Sequence, residues 1–142
     1  LGEIATNEVA AWMIQMSQVA SLFTLFTHHA KTTENLVKYL RNALIINGNF
    51  NNERIALEQV VDAVRFDIHM ERDAKGHRYI ERISEIVTSQ GAQLYTVRDV
   101  IRFDGTKYVI ADGFSKEIAK EMSKRLSKEE VKILYENYCL QN

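Results

Sequence analysis

At 142 residues the chain has the size of one ordinary domain and is long enough to bury a core. Hydrophobic residues make up 46% and charged residues 26%, a balance that excludes a disordered chain. The 18 basic and 19 acidic residues are interspersed, without the basic excess on one element that a nucleic-acid binder collects, and no apolar run reaches the ~18 residues that span a bilayer.

The chain opens on Leu1 rather than methionine, and Leu1-Gly2-Glu3-Ile4 reads as the end of a buried strand without the strand, so a fragment is expected. Residues 7–18 place Val9, Trp12, Met13 and Met16 at helical spacing, predicting an amphipathic helix with those four in the core. Val19 to Thr27 follows, with Leu22, Phe23, Leu25 and Phe26 nearly continuous. That pattern predicts a central strand covered on both faces, as in the interior of a parallel sheet. Thr32 or Thr33 can cap a helix carrying Leu36, Val37, Leu40 and Leu44, which Asn47-Gly48-Asn49 ends. Asn51 or Asn52 then caps a third helix with Ile55, Ala56, Val60 and Val64 on its stripe.

The pattern next changes to strands. Phe66, Ile68 and Met70 alternate with Arg65, Asp67, His69 and Glu71, predicting a half-exposed strand. Asp73-Ala74-Lys75-Gly76 signals a hairpin, and the return strand from about His77 to Val87 has Ile80, Ile83 and Ile86 out of strict alternation, so a bulge is expected. After Gly91 a strand carries Tyr95, Val97, Ile101 and Phe103 on one face, and Asp104-Gly105 turns it into a short strand from Lys107 to Ile110. Ser115 opens a helix with Ile118, Met122 and Leu126. Ser127-Lys128-Glu129-Glu130 is a capping box that starts another, bearing Val131, Leu134, Tyr135 and Tyr138. The fold class expected is α/β.

Glu3, just past a glycine at a strand end, reads either as a surface residue complementing a helix dipole or as a carboxylate that orients a water for attack on a phosphate. Thr27-His28-His29-Ala30 closes the hydrophobic strand where open α/β sheets bind ligands, or forms a plain solvated strand end. Adjacent histidines on an extended chain point to opposite faces and make a poor metal pair, and no metal site is expected. His69 and His77 flank the hairpin without a converging third ligand. Lys75, Arg78 and Arg82 are diluted by Asp73, Glu81 and Glu85. The single cysteine, Cys139, excludes an internal disulfide, suits a reducing compartment and is expected to be packed in the last helix. The phosphate-cradling pattern G-x-x-x-x-G-K-[ST] is absent, so the chain alone is expected to bind no nucleotide tightly and to have no hydrolase activity.

Taken in order, these features resemble the type II and type IV secretion ATPases, in particular the branch serving conjugative transfer and pilus assembly. In that family a strand ends in Gly-Glu (the Walker B end), and a helix leads to a strand ending in a Thr-x-His-Ala "His box". Gly2-Glu3-Ile4 is similar to the first and Thr27-His28-His29-Ala30 to the second. Glu8 is similar to a following glutamate, Leu36 to Leu40 to the next helix, and Asp67 to Met70 with Arg82-Ile83-Ser84-Glu85-Ile86 to the last paired strands. The sequence departs where the family commonly has arginines, with Ala5 after the Gly-Glu-hydrophobic triplet and Tyr39 in the helix after the His box, and Ala20-Ser21 replaces a glycine-rich approach.

The resemblance implies the carboxy-terminal portion of a RecA-like P-loop ATPase domain over 1–112, a mixed sheet with antiparallel strands, followed by a helical segment over 113–142. It implies Glu3 and His29 as catalytic, with Gly2, Glu8 and Thr27 near the nucleotide. ATP and Mg would serve the parent protein, with the P-loop upstream of this chain. It further implies a ring of identical subunits at the cytoplasmic face of the inner membrane, working with secretion or conjugation machinery, while the balanced charge leads to no expectation of direct nucleic-acid binding. The alternative is a non-enzymatic protein-interaction module.

Overall fold

The structure, a computed structural model, describes residues 2–19, 23–47 and 50–139. The chain is mixed α/β. In order it forms β1 (Gly2–Glu3), α1 (Asn7–Ser17), β2 (Phe26–Thr27), α2 (Thr33–Asn47), α3 (Glu53–Ala63), β3 (Phe66–Arg72), β4 (Arg78–Thr88), β5 (Tyr95–Phe103) and β6 (Tyr108–Ile110). These are followed by α4 (Lys116–Ser123), α5 (Lys128–Ile133) and a π-helical turn over Leu134–Tyr138. Two compact units share this chain, one of Leu1–Arg65 with Thr88–Thr96, the other of Phe66–Val87 with Val97–Asn142.

In the first unit β1 and β2 pair in parallel, with Gly2 opposite Phe26 and Glu3 opposite Thr27, and helices α1, α2 and α3 pack on one another. The starts of α2 and α3 are those the sequence signals, and the cap of α1 is one the sequence reading did not name. Thr6 caps α1, Thr32 Oγ1 accepts the Asn35 amide at 3.1 Å, and the Asn52 side chain accepts from Arg54 and Ile55. Leu36, Val37, Leu40, Ala43 and Leu44 of α2 are all buried against Ala10, Ala11, Met13 and Ile14 of α1 and Ala56, Val60 and Val61 of α3.

Three sequence expectations fail in this unit. The stripe of α1 runs through Ala10, Met13 and Ile14, while Trp12 is 57% and Met16 42% exposed. Small alanines let the helices approach closely, and the larger side chains are left outside. On α3, Ile55 is likewise exposed. Of the expected central strand over Val19–Thr27, only Phe26–Thr27 form a strand among the described residues, and Val19, Phe23 and Leu25 are exposed at 73%, 81% and 53%. A parallel sheet depends on cover over both faces, and a two-stranded one supplies too little surface to hold such cover. Ala20, Ser21, Leu22, Gly48 and Asn49 lie outside the described residues.

The second unit holds a sheet in the order β3-β4-β5-β6, with antiparallel β3–β4 and β5–β6 pairs. The expected bulge sits between His69 and Met70, where the β3–β4 register shifts past Glu81. Gly76 at φ 85° and Gly105 at φ 100° turn the two hairpins. Strand β3 reverses the usual arrangement. Its apolar Phe66, Ile68 and Met70 are exposed, and Asp67, which alternation would send outward, is buried. Ala119 of α4, Leu134 and Cys139 form a small core flanked by Phe114, Met122 and Leu126. Burial pushes the Cys139 thiol up, so it stays protonated and packs as an apolar group.

The first hairpin is held by its own aspartate. Asp73 Oδ1 accepts the amides of His77 and Lys75, each at 2.8 Å, and the His77 amide foremost holds the carboxyl below its ordinary value. A lowered folded-state pKa means that the turn's support is present above the unfolded value and is lost as pH falls through the folded one. Protection of the Lys75 and His77 amides relative to their intrinsic exchange rates is therefore expected to fall on acidification, and in Asp73→Ala at neutral pH. Equal protection in both proteins would mean that Gly76 and the ladder hold the turn unaided.

Candidate functional site

Parallel pairing brings the carboxyl ends of β1 and β2 side by side. The Ile4 amide donates to the Thr27 carbonyl at 2.8 Å, extending the ladder one step past β1. Just beyond, His29 Nε2 lies 2.7 Å from Glu3 Oε1, linking residues 26 positions apart. An ionised carboxylate only accepts, so the imidazole carries its proton on Nε2 in this contact. The two side chains are 87% and 55% exposed, in the order His29 and Glu3. An exposed pair of this kind adds little to stability because water screens it and ordering two side chains opposes it.

The neighbouring histidine turns elsewhere. His28 Nδ1 accepts the Ala30 amide at 3.1 Å, a local bond that fixes the backbone after β2. The two adjacent histidines thus engage different partners. Thr27 contributes its carbonyl to the ladder and is exposed. Gly2 opens onto free space, with nothing within 4 Å of where a Cβ would stand. Glu8 is in the first turn of α1, where its own backbone amide and the Thr6 hydroxyl lower its pKa.

Of the five residues singled out from sequence, Glu3 and His29 are in direct contact, and Gly2 and Thr27 flank them on β1 and β2. Glu8 serves the start of α1. The arrangement offers a carboxylate and an imidazole in direct hydrogen-bond contact, between which a proton can be shared. Among the described residues no three His, Cys, Asp or Glu side chains converge on a metal position.

Two concave regions lie away from this pair. In the first unit, α3 and the 89–94 loop border a cavity of about 320 Å³, where Arg54 contacts Glu58 at 3.2 Å and the Gly91 carbonyl at 3.4 Å. In the second, Phe114, Met122, Leu126, Leu134 and Tyr138 line an apolar groove of about 300 Å³. The hairpin histidines each contact a nearby carboxylate, His69 with Glu71 along β3 and His77 with Asp73 at the turn, both at 3.2 Å.

Sequence reading missed one buried polar centre. Glu85 of β4 is 1% exposed and accepts the Ser115 amide on Oε2 at 2.8 Å and the Ser115 hydroxyl on Oε1. Ser115 Oγ in turn accepts the Ile118 amide at 3.2 Å, so a carboxylate and a hydroxyl together close the start of α4. The only sequence signal was a glutamate between two isoleucines in Ile83-Ser84-Glu85-Ile86.

No protein-family model matches the sequence, and neither does any curated protein. Among the described residues no helix is long and apolar enough to cross a membrane.

Proposed function

We propose that the chain is the carboxy-terminal part of a secretion or conjugation traffic ATPase, in which Glu3 and His29 form the end of the nucleotide site that meets the γ-phosphate. One observation carries this reading. Two residues of unrelated sequence position, each singled out as catalytic by resemblance, are hydrogen-bonded at the carboxyl ends of adjacent parallel strands, the edge at which open α/β sheets bind ligands. The open ground beside Gly2 leaves room for a phosphate there.

Glu3 would orient the attacking water or a magnesium-bound water, and His29 would hold the carboxylate in place and contact the phosphate oxygens. These residues fit one end of a triphosphate and no more. The loop that wraps the phosphates, with its lysine, must come from residues preceding this sequence. Mg and ATP belong to that completed site, as does a ring of identical subunits at the cytoplasmic face of the membrane, driving protein or DNA transport. The same completion would cover Val19, Phe23 and Leu25, whose exposure a parallel sheet does not sustain by itself.

The purified chain is therefore expected to show no ATP turnover above buffer, because stabilising a transferring phosphoryl group needs the cradle it lacks. Turnover that survives Glu3→Gln would reject both the site and the reading. The exposed Val19, Phe23 and Leu25 also favour a second reading, a non-enzymatic module that docks a partner on this face. Polypeptide from the gene's full reading frame separates the two. Magnesium-dependent hydrolysis belongs to the ATPase, and its absence despite a preceding G-x-x-x-x-G-K-[ST] belongs to the module.

A further inference from the structure

We propose that His28 is a positioning residue, whose Nδ1 fixes the backbone of His29 and so holds that imidazole against Glu3. The His29 side chain is 87% exposed, so packing does little to set its direction. Ordering it opposite a carboxylate sets rotamer entropy against a water-screened pair that returns little. The 2.7 Å contact therefore depends on a backbone already aimed at Glu3.

Two hydrogen bonds aim it, one on each side. Before His29, the Thr27 carbonyl accepts the Ile4 amide at 2.8 Å, which ties the end of β2 to the chain leaving β1. After it, the Ala30 amide donates to His28 Nδ1 at 3.1 Å. That second bond closes a ring that runs from the His28 imidazole through the whole backbone of His29 to the Ala30 nitrogen. With the peptide bonds planar, the soft backbone rotations inside the ring are ψ of His28 and φ and ψ of His29, and closure restrains all three. The ring is that of an Asx turn, in which an Asn or Asp oxygen one bond beyond Cγ takes the amide two residues on. Imidazole Nδ1 stands at the same remove from Cγ, and accepts in the same way when it carries no proton. The second histidine of the pair meets the carboxylate, and the first directs it.

As a device for catalysis this rests on the reading of Glu3 and His29 as the phosphate end of a nucleotide site, but the clasp itself has a test that does not. Long-range proton–nitrogen spectra of the 142-residue chain at about pH 8, where imidazole is neutral, are expected to show the His28 proton on Nε2 and none on Nδ1. Nuclear Overhauser contacts between the His29 ring and the Glu3 side chain are expected in the wild type. They should persist in His28→Asn, whose Oδ1 replaces the acceptor, and disappear in His28→Phe, which keeps a ring of similar bulk without it. In the full-reading-frame protein His28→Phe is expected to lower kcat about tenfold, with KM for ATP changed by no more than about twofold. His28→Asn is expected to recover most of that loss, a rescue that damage to the fold does not mimic. A proton on His28 Nδ1, a His29–Glu3 contact that survives His28→Phe, or an asparagine variant no better than the phenylalanine one would each overturn the proposal. A wild-type protein without ATP turnover, whose His29–Glu3 contact still follows the acceptor at position 28, would reject the nucleotide-site reading and uphold the positioning role.

Discussion

Glu85→Ala is expected to destabilise the chain by about 3 kcal/mol, a larger loss than any surface substitution discussed above. The side chain is 1% exposed, and its two oxygens meet the amide and the hydroxyl of Ser115. Truncation leaves both donors buried without an acceptor, at roughly 1–3 kcal/mol each, and opens a cavity besides. It also removes the negative charge from the start of α4, where the helix dipole favours it. Glu85→Gln keeps the shape and one acceptor, so its loss should be about half as large. Urea unfolding of the three proteins checks this. Equal midpoints for wild type and alanine variant would mean that burying the carboxylate costs as much as its hydrogen bonds return.

Glu3→Gln is expected to lower ATP turnover by about a hundredfold or more in the protein read from the full reading frame, with nucleotide binding retained. The amide keeps a hydrogen-bond partner for His29 but cannot take a proton or hold a metal-bound water as a carboxylate does. His29→Ala is expected to fall in the same range, and the double variant little further, because the two act as a unit. Neither change should alter folding, since both side chains are largely in solvent. Losses that simply multiply would mean that the 2.7 Å contact between them has no part in catalysis.

Local signals proved the most legible part of the sequence. Thr32, Asn52, Ser115 and Ser127 all accept backbone amides at helix starts, as their hydroxyl or amide oxygens at those positions allow. The Asp73–Gly76 and Asp104-Gly105 turns and the β4 irregularity also follow from local chemistry. Which face turned inward was harder to read, because periodicity fixes a stripe but not what lies against it. Trp12 and Met16 lie outside while the smaller Ala10 and Ala11 are buried. Strand β3 buries Asp67 in place of its apolar residues for the same reason, its surroundings being nonlocal. The hydrophobic run to Thr27 promised a covered strand, and within the described residues that cover is missing.

At the candidate site, spacing alone favoured a surface role for Glu3 and left the histidines open between a ligand-binding strand end and a solvated one. Only resemblance joined Glu3 to His29, since nothing local in a sequence reports a contact across 26 positions. Glu85 stayed hidden because its partner is a helix start 30 residues away.

Whether Glu3 and His29 form the phosphate end of a nucleotide site can be read from acylation of His29 by diethylpyrocarbonate, followed by mass spectrometry on the full-reading-frame protein. His29 is 87% exposed and His77, on the hairpin, 76% exposed, so both should react readily without nucleotide. With saturating magnesium and a non-hydrolysable ATP analogue, His29 should become protected while His77 continues to react. Bound nucleotide that leaves both histidines equally reactive would contradict the site.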